Sequence, residues 1–84
     1  MGKFRIKKET LEFWLNKAIT DGLIDYKTYA KQVGKSESYI GDIFDEIRRA
    51  FKRGDLVAPT NEVMEFFLKT SPREARLLEK TISV

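Results

Sequence analysis

An all-α fold of about five helices is predicted from three observations. Apolar residues recur at intervals of three and four along most of the chain, and residues suited to helix N-caps stand before several of those runs. The only plausible short strand is Leu56-Val57. The chain has 84 residues, 42% of them apolar, which fits one small domain. A domain of this size buries only roughly 60 to 65% of its unfolded surface, so it is expected to lean on a partner.

Residues 1–8 carry Lys3, Arg5, Lys7 and Lys8 with no acid and no helix start, and read as a basic N-terminal arm. The alternative is a terminus whose Phe4 and Ile6 pack on the core. Residues 9–84 then form the single domain. A first helix is expected from Glu9 or Thr10 to Asp21, because Leu11, Leu15, Ala18 and Ile19 share a face and Gly22 follows as a stop. Trp14 belongs to the same core. Asp25 is suited to cap a second helix that ends at Val33 before Gly34, with Ile24 placed to pack on Tyr29. Ser36 caps a third, whose Ile40, Ile43, Phe44, Ile47 and Phe51 form the strongest apolar stripe, down to Gly54.

Asp55 to Pro59 is a connector, and Leu56-Val57 within it could pair as a small wing. Thr60 or Asn61 can cap a fourth helix through about Lys69. Ser71-Pro72-Arg73-Glu74 marks a fifth start, with Ala75, Leu78 and Ile82 on its buried face. Residues 60–84 thus complete the core or supply a dimer contact. Three consecutive large apolar residues, Phe66-Phe67-Leu68, cannot all face one core, so Phe66 and Phe67 are the candidate dimer contact.

The composition argues for binding rather than catalysis. There is no Cys and no His, which excludes disulfides and thiolate metal sites and removes the usual general base and the commonest metal ligand. No enzyme activity, cofactor or metal is expected. The longest apolar runs are three residues, far short of the about 20 needed for a membrane span. No signal-peptide core follows the basic start, and the Met-Gly opening has Ile6 where a myristoylation motif wants Ser or Thr. A soluble, cytoplasmic protein is the expectation.

Tyr26-Lys-Thr-Tyr-Ala-Lys-Gln-Val-Gly-Lys-Ser-Glu-Ser-Tyr-Ile-Gly-Asp-Ile-Phe-Asp45 resembles the DNA-binding helix-turn-helix family of phage and bacterial repressors. Ala30 stands at the small position where the two helices touch, Gly34 at the turn, and Tyr29, Val33, Ile40 and Ile43 at the apolar positions that lock the pair. Two departures are visible. Lys35 occupies a turn position that is usually apolar, and the exposed face of the third helix is unusually acidic.

The resemblance implies a helix-turn-helix in helices two and three, bound to double-stranded DNA as a homodimer. It maps base readout onto Ser36, Glu37, Ser38, Tyr39 and Asp42, with Gly41 allowing close approach, and phosphate contact onto Lys27, Lys31 and Lys35. Arg48 and Arg49, in a second basic cluster with Lys52 and Arg53, are further candidates for phosphate. The arm could lie along a groove. Against this, carboxylates near phosphates are repelled, and Asp42, Asp45 and Glu46 could instead pair with Arg48, Arg49 and Arg53 along the helix.

Residues 1–53 hold 12 basic and 8 acidic residues, and residues 54–84 hold 4 and 5, so the motif half carries the excess charge. The expected function is sequence-specific DNA binding by a small phage, plasmid or prokaryotic transcriptional regulator. The alternatives are a protein-binding adaptor or inhibitor that uses the acidic third helix, and a DNA-packaging or recombination accessory factor.

Overall fold

Ile40, Ile43, Phe44, Ile47 and Phe51 line one side of the longest helix, and the other helices pack against it. The computed structural model describes residues 6–69. The predicted fifth helix and Lys3 and Arg5 of the arm lie outside the described residues. Within them the protein is all-helical: α1 (Lys8–Thr20), α2 (Tyr26–Val33), α3 (Glu37–Arg53) and α4 (Asn61–Lys69). Helix α3 packs against each of the other three.

The caps explain the boundaries. Asp25 accepts a hydrogen bond from the Thr28 backbone N–H, Ser36 from that of Tyr39, and Thr60 from that of Val63. Each satisfies a donor that the first helical turn leaves without an intrahelical partner. Gly34 and Gly54 close α2 and α3 in the left-handed region, at φ 75° and 85°. At the end of α1 the chain stays left-handed for two residues, Gly22 at φ 101° and Leu23 at φ 57°. The Leu23 N–H donates to the Ala18 carbonyl at 2.8 Å. A leucine there costs about 1–2 kcal/mol. Its side chain packs half-buried against the core and offsets part of that cost.

The first helix begins earlier than expected, at Lys8 rather than at Glu9 or Thr10. Lys7 is extended and caps the helix with backbone alone.

Aromatic rings bind the helices together. Tyr29 of α2 lies against Phe44 of α3 at 6.1 Å between centroids, and Phe44 meets Phe67 of α4 edge-on at 5.0 Å. Trp14 of α1 joins from the other side, edge-on to Tyr29 at 6.4 Å. Such pairs contribute about 0.5–1.5 kcal/mol each beyond the area they bury. The Tyr29 hydroxyl donates to Asp21, which also pairs with Lys17 at 3.6 Å, so the end of α1 is tied to α2.

One expectation is corrected. Phe67 is not available as a dimer contact, since it is 0% exposed and sits between Phe44 and Phe51. Three consecutive helical positions span an arc of about 200°. The middle ring therefore points into the core, while Phe66 and Leu68 flank it half-buried. Phe66 packs its ring edge-on to Phe44 and Phe67. Leu56-Val57, where a small wing was an open question, forms no strand among the described residues. Leu56 inserts into the core as a single anchor and Val57 is left 84% exposed.

Candidate functional site

Asp25 and Gly34 set the length of α2 at eight residues, and Lys27 and Lys31 stand one turn apart on its exposed side. The Gly34 N–H donates to the Lys31 carbonyl and the Lys35 N–H to that of Ala30 at 2.9 Å, which closes the helix and reverses the chain. A side chain at Gly34 would meet no atom within 4 Å, so glycine is required by the positive φ and not by crowding. Three residues, Gly34, Lys35 and Ser36, separate α2 from α3. Ala30, buried at the crossing, lets the helices approach, and Tyr29, Ile40 and Ile43 fill the space beneath with Val33 half-buried at the edge.

The three lysines 27, 31 and 35 are exposed, and no ion pair among the described residues includes any of them. They form a ridge along α2 into the turn. The N–H of Thr28 holds the Asp25 carboxyl below its ordinary range, so a carboxylate persists at the start of this ridge. Burial and the adjacent Asp21 carboxylate push the Tyr29 hydroxyl well above its ordinary range. It therefore stays protonated as a donor.

Beside the ridge, the first turns of α3 expose Ser36, Glu37, Ser38 and Asp42. Glu37 and Asp42, like the three lysines, take part in no ion pair among the described residues. Tyr39 is half-buried, edge-on to Trp14 at 6.1 Å and beneath the Lys35 ammonium, which lies 5.6 Å from the ring centroid. Gly41 is buried, so it does not face outward as expected. It lies next to Ile40 on the inner side of the helix.

The basic cluster at the end of α3 is largely neutralised. The Arg48 side chain is 7% exposed and pairs with Asp45 at 3.1 Å, so it is not a surface cation that could meet phosphate. Arg49, 35% exposed, is held by Asp45 at 3.2 Å and Glu46 at 3.0 Å. Arg53 pairs with Asp55 across the C-cap rather than with α3's own acids. Intrahelical pairing of Asp45 and Glu46 therefore occurs, as their spacing allowed, but Asp42 does not join it. Residues 6–69 hold 11 basic and 11 acidic residues, so the overall excess resides in the terminal stretches. What distinguishes the ridge is separation of charge within a neutral body.

Two shallow clefts of about 340 and 220 Å³ run between α1 and the segment after α3, sharing Lys8, Asp55 and Leu56. Among the described residues no group of three or more His, Cys, Asp or Glu could hold a metal ion, and no helix is long and apolar enough to cross a membrane. Sequence reasoning missed two features, the Lys35–Tyr39–Trp14 stack and the burial of the Asp45–Arg48 pair. The i,i+4 spacing of Lys35 and Tyr39 and the i,i+3 spacing of Asp45 and Arg48 were the available signals. No family model, curated protein or solved structure matches this chain.

Proposed function

We propose that the protein binds double-stranded DNA as a helix-turn-helix, with α2 resting on the phosphate backbone and the start of α3 in the major groove. The observation that carries this reading is the ridge of Lys27, Lys31 and Lys35, exposed and free of carboxylate partners among the described residues. A row of uncompensated ammonium groups gains from a polyanion by releasing its counterions. Ser36, Glu37, Ser38 and Asp42 then face base edges. Glu37 and Asp42 only accept hydrogen bonds when ionised, so the bases opposite them present amino groups, as cytosine does.

Arg49 is at most a peripheral phosphate contact, being shared between two carboxylates. The role that suits such a domain is a small prokaryotic, phage or plasmid regulator, acting as a dimer on paired half-sites.

Selection from random duplexes at two salt concentrations tests the proposal. Salt-sensitive enrichment of a defined sequence supports it. Replacing Lys27, Lys31 or Lys35 by Ala should weaken binding to every sequence and reduce the salt slope by about 1 each. A protein-binding adaptor is the second reading, favoured by Glu37 and Asp42, which project from α3 without cationic partners among the described residues. It predicts no duplex binding at about 0.15 M salt and a basic protein surface as partner.

A further inference from the structure

We propose that Tyr39 is a positioning residue whose ring holds the Lys35 ammonium in place for a phosphate. The inference rests on the DNA-binding reading and deepens it by giving Tyr39 a role other than base readout. It also accounts for a lysine at a turn position where helix-turn-helix proteins usually carry an apolar residue.

Lys35 stands four positions before Tyr39, and the turn brings the lysine back across the first turn of α3. Its Nζ lies 5.6 Å from the Tyr39 centroid, inside the roughly 6 Å range over which a ring face attracts a cation. The ring is itself fixed. Trp14 meets it edge-on at 6.1 Å, and Trp14 is held in turn by Tyr29 at 6.4 Å and Phe13 at 5.3 Å. The Ser36 hydroxyl accepts from the Tyr39 N–H and fixes the backbone beneath. The most mobile kind of side chain is thus placed over a platform continuous with the core.

The consequence for binding is entropic. A free lysine gives up rotamer freedom when it meets a phosphate, whereas one already resting on a ring gives up less. The ammonium has three donors, and one ring face leaves the outward ones available to phosphate oxygens. Lys27 and Lys31 have no ring beneath them among the described cation–ring contacts. Lys35 is therefore the ordered member of the ridge, and its departure from the apolar rule is compensated by the ammonium lying over Tyr39.

The test uses the full chain and a fluorescein-labelled random-sequence duplex of about 30 base pairs at about 0.05 M salt. Tyr39→Phe keeps the ring and should bind like the native protein. Tyr39→Leu should weaken binding about two- to fivefold with the salt slope unchanged, because the charge remains. Lys35→Ala should lower the slope by about 1. In the Lys35→Ala background Tyr39→Leu should have no further effect, which a merely structural role for the ring would not produce.

A second readout is independent of DNA. The Lys35 methylene protons next to Nζ should be shifted upfield by the ring in the native protein and in Tyr39→Phe, and should lose that shift in Tyr39→Leu. Equal losses from Tyr39→Leu in both backgrounds, or no upfield shift, would overturn the role of Tyr39 alone. Failure of the native protein to bind any duplex would overturn the DNA-binding reading and this role with it.

Discussion

Two stretches of the molecule carry clusters of cations and differ in how those cations are paired. Lys27, Lys31 and Lys35 stand on α2 and its turn with no carboxylate three or four residues away, and Asp25, two residues before Lys27, is engaged as a cap. Arg48, Arg49 and Arg53 sit at the end of α3, where Asp45, Glu46 and Asp55 take up their charge. A count of basic residues puts the α3 cluster ahead, four to three. Their partners separate them, since a guanidinium already bound by carboxylates at 3.0–3.2 Å has little left to give a phosphate.

The sharpest way to break this contrast is at Asp45. Its replacement by Ala removes a carboxylate from the nearly buried Arg48 guanidinium and should destabilise the fold by about 3 kcal/mol, measured by chemical denaturation. Replacing Asp45 and Arg48 together by Leu should cost less than Asp45→Ala alone. Equal losses would mean that the pair does not act as a unit.

Smaller effects are expected where single hydrogen bonds hold the ridge. Tyr29→Phe should lose about 1 kcal/mol with the bond to Asp21. Because the folded protein raises the hydroxyl's pKa, the native chain's stability should be full below about pH 10, where an unfolded tyrosine begins to ionise, and should fall above it. Tyr29→Phe should lack that component of the alkaline decline. Ser36→Ala, which removes the cap of α3, should cost about 1 kcal/mol, with the midpoint of thermal unfolding as the readout.

At the N-cap of α2 the sign is reversed. The Asp25 carboxyl is lowered by its bond to Thr28, so its contribution is present above about pH 3.9 and is lost as the pH falls through the lower folded value. Asp25→Asn keeps the cap and should flatten this acid dependence in an acid titration followed by circular dichroism. The smallest change is Lys31→Ala, within about 0.5 kcal/mol of native stability. A larger loss would show that the ridge is part of the fold rather than a surface held ready for a partner.

Much of the local architecture was legible beforehand. Asp25, Ser36 and Thr60 act as caps, Gly34 and Gly54 end helices, and the stripe from Ile40 to Phe51 is buried. These depend on short-range rules, because a cap bonds three residues ahead and helical periodicity repeats every 3.6. The candidate site was legible only in outline. Lys27, Lys31 and Lys35 are exposed as expected, whereas Arg48 and Gly41 turned inward and Tyr39 lies half-buried beneath the Lys35 ammonium. Phe66 and Phe67 looked alike in one dimension, and only the orientation of α4 against α3 sent Phe67 to the centre and left Phe66 at the edge.

The sequence by itself therefore determined an all-helical chain, the ends of its helices and the residues available to cover a core. Tertiary structure decided which of the paired charges are buried and which rings are held in place, because both depend on how helices distant in the chain are packed. The Trp14 ring of α1 reaches Tyr39 of α3 across that packing, and the guanidinium of Arg48 is enclosed by it.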